Sequence, residues 1–249
     1  MFGGWIRRIV PGALRRRAAL ALVRPPVGGV DLGDLARLTP ISPEWGFDRG
    51  TPIDRYYIEE FLTAHAADVA GVVLEIDAPT YTQRFGGGRV TRSEVLHLED
   101  ERPGVTMIGD LTRPDEFEPG QFDCVILTQT LQFVPDPAAA IRTAHRILRP
   151  GGILLATFPG ISKISREDMD RWGCHFSFSS LSAERLFGDV FGADNLRVEA
   201  VGNVLTAAAF LYGLAAEDLA EADLAHRDRD YELLVRVRAV RADGGAHGP

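Results

Sequence analysis

Residues 122–160 decide the fold, and they read FDCVILTQTLQFVPDPAAAIRTAHRILRPGGILLATFPG. The apolar run from Phe122 to Leu127 predicts a buried strand. The pair Asp136-Pro137 predicts a helix start, because aspartate caps a first turn and proline fits the first helical position. The turn from Arg149 to Gly152 ends that helix, and the apolar run from Ile153 to Phe158 predicts another strand. A strand, a helix and a strand in this order are typical of α/β proteins.

Strand patterns continue on both sides of this stretch. The predicted strands are Gly71 to Ile76, Arg89 to Leu96 and Val105 to Ile108 before it, and Asn195 to Val201 and Tyr231 to Val240 after it. Repeated strand-helix units predict a mostly parallel sheet with helices on both faces. The predicted fold class is therefore α/β and doubly wound.

Composition limits the possible functions. The chain has 249 residues, 45% of them apolar, which is enough to bury the core of one domain without a disulfide or a metal. Its two cysteines, Cys124 and Cys174, have no CxxC or Cys/His companion, so we predict no metal site and a reducing, cytoplasmic location. A net charge of -8 argues against nucleic acid as a partner, because phosphate binding needs clustered basic residues.

The amino-terminal segment differs from the rest in charge. Residues 1–24 contain six arginines and no acidic residue, and their apolar residues recur at helical spacing. We predict a basic amphipathic helical cap that either packs on the domain or docks on an anionic membrane or a protein partner. The predicted organisation is a cap and linker over residues 1–48, a main domain over 49–241 and a disordered tail over 242–249.

One family resemblance rests on several motifs in a fixed order. These are LEI at residues 74–76, SEVL at 93–96, GDL at 109–111 and the block at 122–160. Residues 73–160 thereby resemble class I S-adenosylmethionine (SAM)-dependent methyltransferases of the small-molecule type. The resemblance implies a Rossmann-like sheet of seven strands, SAM as cofactor and a small-molecule acceptor. Residues 49–57 and 172–178 look similar to methyltransferases found near actinobacterial glycan and natural-product genes.

The loop after the first strand departs from the family pattern. The family has a GxGxG loop there, whereas this chain reads Glu75-Ile76-Asp77-Ala78-Pro79-Thr80-Tyr81-Thr82. Glycine lets the backbone approach a ligand closely, so its absence leaves two hypotheses open: retained SAM binding, or a fold that has lost SAM. If binding is retained, we expect Asp77 in this loop to contribute, and Thr80 and Thr82 to donate hydroxyl hydrogen bonds to the methionine part.

The resemblance also assigns other cofactor residues by position. Glu94, at the end of the second predicted strand, matches the acid that holds the ribose hydroxyls, and Asp110 matches the residue that accepts from the adenine amino group. Gln129 follows the fourth strand, at the edge where α/β sheets bind ligands. Glu75 ends an apolar strand, so we expect its carboxylate to accept from the cofactor's amine or from the next loop.

The residues that act on the methyl acceptor are predicted less directly than those that bind the cofactor. His175 lies among aromatic residues after the fifth predicted strand and is the first candidate base, since histidine titrates near neutral pH. Asp54 is the second candidate base, although the spacing of Thr51 to Asp54 also fits a helix capping box. Arg49, Arg55 and Tyr56 are predicted to close over the cofactor carboxylate.

The predicted function is SAM-dependent O-methylation of a hydroxyl on a sugar-containing or other small metabolite. Two alternatives stay open: a non-catalytic module of the same fold, and a dinucleotide-dependent oxidoreductase. The missing GxGxxG disfavours the oxidoreductase, because a pyrophosphate needs those glycines more than SAM does. The sequence does not determine the oligomeric state.

Overall fold

A computed structural model of the protein describes residues 24–99 and 103–242. The chain divides into two compact units, Met1–Thr39 and Pro40–Pro249. The described part of the first unit contains a three-residue 3-10 helix, Gly33–Leu35. The predicted amphipathic helix lies outside the described residues except for Arg24, and the predicted tail does so except for Ala242. The predicted domain start at residue 49 falls inside the second unit, which begins at Pro40.

The second unit is built on a seven-stranded sheet in the order β3-β2-β1-β4-β5-β7-β6. Neighbouring strands run parallel except for β7, which is antiparallel to both β5 and β6. This arrangement confirms the predicted mostly parallel sheet of seven strands. The strands are β1 (Gly71–Ile76), β2 (Val90–His97), β3 (Met107–Ile108), β4 (Phe122–Thr128), β5 (Leu148–Pro159), β6 (Leu196–Val201) and β7 (Leu234–Val240).

Helices pack on both faces of the sheet. Two helices, α2 and α4, contribute to one buried apolar cluster, and three others, α1, α5 and α6, contribute to the second. Burial on both faces explains why β4 reads as a continuous apolar run and not as an alternating one. The described α-helices are α1 (Ile53–Ala64), α2 (Pro137–Ile147), α3 (Arg166–Trp172), α4 (Ser180–Phe191), α5 (Val204–Leu211) and α6 (Glu221–Ala225).

Two predicted helix starts have different outcomes. Asp136 caps α2 as expected, since its Oδ1 accepts a hydrogen bond from the Ala139 amide at 2.9 Å. The predicted capping box from Thr51 to Asp54 is wrong, because the residue before α1 is Pro52 and no side chain caps this helix. Thr51 bonds instead to Glu217, which accepts from its amide at 2.9 Å and from its hydroxyl at 2.8 Å. Asp54 is therefore not needed as a cap.

The connection from β1 to β2 contains no α-helix. It consists of a π-helical turn, Thr82–Gly86, followed by a 3-10 turn, Gly87–Arg89. The positive φ of Gly87, 54°, explains the glycine between these two turns. The loop that faces the cofactor in a Rossmann-like fold is therefore followed here by two short helical turns and not by a long α-helix.

Two absences are found within the described ranges, 24–99 and 103–242. No helix there is long and apolar enough to cross a membrane. No group of three or more His, Cys, Asp or Glu side chains there is arranged to hold a metal ion.

Candidate functional site

A large cleft opens at the carboxyl ends of β1, β2 and β4, where open α/β sheets bind ligands. Its volume is about 1150 Å³. That volume exceeds the roughly 300–1,000 Å³ typical of small-molecule sites, so the cleft has room for a cofactor and a second small molecule. Six of the predicted site residues line it: Asp54, Glu75, Asp77, Thr80, Asp110 and Gln129.

Glu75 organises the loop after β1. Its side chain is buried, and its two carboxylate oxygens accept from the amides of Tyr81 and Thr82 at 2.9 Å and 2.7 Å. Burial raises the pKa of the Glu75 carboxyl above its ordinary value, and the hydrogen bonds from the loop oppose that rise. Of the two partners expected for this carboxylate, the structure shows the next loop.

Asp77 adopts a backbone conformation that ordinarily favours glycine. It directly follows β1, where the glycine-rich loop of the family would begin, and its φ is 74°. The turn is closed by a hydrogen bond from the Ala78 amide to the Ile76 carbonyl at 3.0 Å. Aspartate is among the few residues that tolerate a positive φ. The glycine-like backbone of this loop is thus retained without a glycine.

The positive φ of Asp77 leads to a prediction about the stability of the fold. Asp77→Val is expected to lower the free energy of unfolding by about 1–3 kcal/mol, because a β-branched residue is strained at this φ. Asp77→Asn is the matched control and should stay within about 0.5 kcal/mol of the wild type. Urea unfolding of the three proteins measures the difference. Equal stability of the valine and asparagine variants would contradict the conformational argument.

Asp54 and Gln129 meet across the cleft. The Gln129 amide nitrogen, Nε2, lies 3.5 Å from Asp54 Oδ2, while Asp54 Oδ1 accepts from the Arg55 amide at 2.8 Å. Burial raises the pKa of the Asp54 carboxyl, although the nearby Arg55 charge opposes the rise. Gln129 has a positive φ of 49°, and its backbone amide donates to Thr157 at 2.7 Å. A desolvated carboxylate is thereby fixed in the wall of the cleft.

Backbone strain is concentrated at this site. Three non-glycine residues in the described chain have a positive φ, and all three line the cleft: Trp45, Asp77 and Gln129. Such conformations cost about 1–3 kcal/mol each and cluster at functional sites in proteins. In the described chain, the strained non-glycine backbone conformations therefore lie in the wall of the cleft, where they lower the local stability.

Asp110 and Thr80 occupy other parts of the cleft wall. Asp110 Oδ1 accepts from both the amide and the hydroxyl of Thr112 at 2.8 Å, so half of this carboxylate shapes its own loop. Asp110 Oδ2 lies 3.8 Å from Arg113 Nε, too far for a hydrogen bond. Thr80 is exposed in the cleft, which is compatible with the predicted hydroxyl donor.

The position predicted for Glu94 needs correction. Strand β2 extends to His97, and Glu94 pairs in register with Leu74 in the middle of β1. Its carboxylate lies 3.0 Å from Arg92 Nε, and it does not line the cleft. The residue at the carboxyl end of β2 is His97, which is buried and does line the cleft.

Four further predicted residues lie outside the cleft wall. Arg49 forms two hydrogen bonds with Asp218, at 2.8 Å and 3.1 Å, and this pairing raises its pKa. Tyr56 packs edge-on against Tyr57 with ring centroids 5.4 Å apart. Thr82 is buried, with its amide bound to Glu75.

His175 is the fourth of these residues. It is exposed, its amide donates to the Gln132 carbonyl at 2.8 Å, and its ring lies 6.1 Å from that of Phe176. The neighbours on either side, Cys174 and Phe176, line the cleft, but His175 does not. The histidine therefore lies beside the cleft and not in it.

Of the three residues predicted to close over the cofactor carboxylate, Arg55 lines the cleft, and it donates to the Tyr81 hydroxyl at 3.2 Å. The sequence pattern overlooked Trp45 and Lys163, which also line the cleft; Lys163 lies 4.2 Å from the centre of the Trp45 ring. No local signal pointed to Trp45, because it reaches the cleft through a loop far from the strand ends.

The strand order, with an antiparallel β7 between β5 and β6, and the cleft at the strand ends together define the Rossmann-like fold of class I methyltransferases. Residues 61–156 match a family model described as a methyltransferase domain. This match confirms the predicted resemblance to methyltransferases over these residues, and SAM is the cofactor of that family.

Known proteins resemble the chain in part. The ubiquinone biosynthesis O-methyltransferase of Pseudomonas aeruginosa is 52% identical over 40 residues, which are 16% of this chain. The chain spans 17% of the length of the curated relatives it matches. A SAM-dependent methyltransferase structure from Archaeoglobus fulgidus is 9% identical, with a TM-score of 0.50 over 75% of this chain and 94% of that one. The N-methyltransferase NodS from Bradyrhizobium japonicum, in complex with S-adenosylhomocysteine, is 17% identical over 84% of this chain and 94% of that one, with a TM-score of 0.48.

Proposed function

We propose that this chain binds SAM in the cleft and transfers its methyl group to a hydroxyl of a small metabolite, with Asp54 as the general base. The observation that carries the proposal is the desolvated Asp54 carboxylate, held 3.5 Å from Gln129 in the cleft of a methyltransferase fold. A neutral carboxyl group would not accept a proton, so Asp54 acts in its ionised form.

The residues present fit the cofactor despite the missing glycines. The loop after β1 keeps a glycine-like turn at Asp77, and Glu75 fixes the amides of Tyr81 and Thr82 behind it. Arg55 lines the cleft and supplies a cation for the cofactor's carboxylate, the role predicted for it together with Arg49 and Tyr56. Thr80 supplies a hydroxyl in the same loop. These contacts support retention of SAM over loss of the cofactor.

The chain's own contribution to the reaction is alignment and proton removal. When bound, SAM supplies an electrophilic methyl group. Methyl transfer to an alcohol needs a base for the hydroxyl proton, and burial has raised the basicity of Asp54 for that task. Gln129 orients the carboxylate by donating from Nε2 at 3.5 Å. The remaining rate acceleration comes from alignment of SAM with the acceptor hydroxyl.

An aromatic rim supports a small-molecule acceptor. Trp45 packs against Phe210 with ring centroids 5.6 Å apart, and Lys163 Nζ donates to the Pro43 carbonyl at 2.6 Å. Phe47, in the same loop as Trp45, lines the cleft and is 60% exposed. An exposed aromatic ring next to carboxylate and amide groups suits an acceptor with an apolar face and polar edges, such as a sugar ring.

Two measurements test the proposal. Calorimetric titration is expected to show saturable binding of SAM and S-adenosylhomocysteine and no binding of NAD. Labelled SAM is then expected to transfer its methyl group to a polyhydroxylated acceptor from a panel of sugars, phenols and amines. No saturation by SAM or its product at concentrations on the order of 1 mM would reject cofactor binding. Transfer to amines alone would reject the hydroxyl acceptor and the need for Asp54 as base.

A further inference from the structure

The cleft extends past the proposed base, toward the ends of β5 and β7. Strand β5 lies on the side of β4 away from β1 and the cofactor loop. Gln129, which holds Asp54, donates from its amide to the Thr157 carbonyl on β5. Pro159, the last residue of β5, and Leu233, directly before β7, line the cleft. An acceptor whose hydroxyl meets Asp54 therefore has this part of the cleft for the rest of its structure.

A lysine lies in the wall of this part of the cleft. Lys163 follows the end of β5 and lines the cleft, and its Nζ donates to the Pro43 carbonyl at 2.6 Å. The same nitrogen lies over the Trp45 ring, 4.2 Å from its centre, which is a favourable position for a cation. The Trp45 ring packs in turn against Phe210. One carbonyl and one aromatic face thus hold the ammonium group in place.

The loop that holds the lysine is itself fixed. Ser42 is buried, and its Oγ accepts from the amides of Glu44 and Gly46 at 3.1 Å and 3.3 Å. The same hydroxyl donates to the Asp48 carboxylate. These bonds close the loop on both sides of its aromatic residue. The loop therefore presents the Pro43 carbonyl in a fixed arrangement, so little ordering is needed when a ligand binds beside it.

The Lys163 ammonium keeps donors for a ligand. An ammonium has three N–H donors, and the Pro43 carbonyl takes one of them. Within the part of the chain that the structure describes, Lys163 forms no ion pair with an acidic side chain, whereas Arg171, another cation of the cleft wall, pairs with Glu99 at 2.7 Å. Arg55 is proposed to bind the cofactor's carboxylate. Lys163 is thus the described cation of the cleft wall that remains for the acceptor.

We propose that the acceptor is a carboxylated small molecule, such as a sugar acid, whose carboxylate binds Lys163 Nζ while its hydroxyl meets Asp54. The inference rests on the proposed function, because it takes the cleft as the site of methyl transfer. A carboxylate matches the single charge of one lysine, whereas a phosphate dianion would keep a charge without a partner. The exposed ring of Phe47 offers an apolar face to the carbon skeleton of such an acceptor.

The test measures methyl transfer from labelled SAM to matched sets of acceptors on sugar and phenol scaffolds. Each set contains a carboxylate, its primary amide and the neutral parent, as in glucuronate, glucuronamide and glucose. In the wild type, kcat/KM for the best carboxylate should exceed that for its amide at least about tenfold, the effect expected of a charge-assisted hydrogen bond. In Lys163→Met this preference should fall below about threefold, with kcat/KM for the amide nearly unchanged. Lys163→Arg, which keeps the charge, should keep part of the preference.

Controls separate the possible failures. Arg166→Met removes a cation from the same segment at a residue that does not line the cleft, so it should keep the wild-type preference. Thermal unfolding confirms that each variant is folded. Calorimetry of the S-adenosylhomocysteine complex makes the same comparison for carboxylates that bind without turnover.

Three results would overturn the inference. The first is an amide or neutral parent methylated by the wild type as fast as its acid, and the second is an unchanged preference in Lys163→Met. The third is a complex with S-adenosylhomocysteine that neither methylates with SAM nor binds any carboxylate of the sets at about 10 mM, a result that leaves cofactor binding intact. A folded wild type that binds neither S-adenosylhomocysteine nor SAM would reject the proposed function and this inference with it.

Discussion

Replacing Asp54 by asparagine is expected to lower turnover by roughly 10²–10⁴-fold, the usual contribution of a positioned general base. Asparagine keeps the size of the side chain and the acceptor for the Arg55 amide, which Asp54 Oδ1 bonds at 2.8 Å. Affinity for S-adenosylhomocysteine should change by less than about threefold, since the base acts on the acceptor. His175→Ala is the matched control and should keep turnover within about twofold, because His175 does not line the cleft.

The pH dependence gives an independent check on Asp54. Burial raises its pKa above the ordinary value, so activity should fall on acidification at a higher pH than an exposed aspartate would give. Asp54→Asn should lose this acidic limb, whereas His175→Ala should keep it. Turnover in Asp54→Asn equal to that of the wild type would exclude Asp54 as the base.

The same substitution should act on stability in the opposite direction. A carboxyl whose folded-state pKa is raised stabilises the fold below its unfolded pKa and loses that contribution as pH rises through the folded value. At neutral pH the partly buried Asp54 charge therefore destabilises the wild type, and Asp54→Asn should unfold at a higher denaturant concentration. The gain should shrink as the pH falls through the raised folded-state pKa of Asp54 and vanish below its unfolded value of about 4. Loss of activity with gain of stability is the mark of a residue retained for function.

Glu75→Gln is expected to lower the free energy of unfolding by about 1–3 kcal/mol and to weaken S-adenosylhomocysteine binding by at least tenfold. Glutamine offers one acceptor oxygen where the carboxylate offers two, so the amide of either Tyr81 or Thr82 loses its partner. The cofactor loop after β1 then loses the contact that fixes it.

Glu94→Gln is the matched control for this prediction. It makes the same change of side chain on the neighbouring strand, at a residue paired with Arg92 and outside the cleft. Its effect on unfolding should stay below about 1 kcal/mol. Urea unfolding and calorimetry of both variants make the comparison. Equal stability of the Glu75 and Glu94 variants would show that the two loop amides do not depend on Glu75.

The sequence predicted the sheet because each strand carries its own local pattern. The continuous apolar run of β4 and the Asp136-Pro137 start of α2 are both found as expected. The order β5-β7-β6 at one edge was not predicted, because no local pattern states which strands pair.

The site was predicted less completely, for two physical reasons. A strand boundary moved by one residue changes which side chain stands at the sheet edge, and the predicted end of β2 at Leu96 left out His97. Arg49 was predicted to contact the cofactor because nothing near it in the sequence indicates its partner in the structure, Asp218, which is 169 positions away. Glu75, Asp77 and Gln129 were found because they directly end or follow strands, where position alone implies the cleft.

The turn at Asp77 bears on how related proteins are recognised. A pattern search for glycines after the first strand passes over this chain, although one aspartate at φ 74° meets the steric requirement that those glycines serve. Aspartate and asparagine are the side chains best able to replace glycine in this way. Among chains that share the fold, the informative property of that position is thus its permitted backbone region, and a search that accepts Asp or Asn there reaches sequences that the glycine pattern discards.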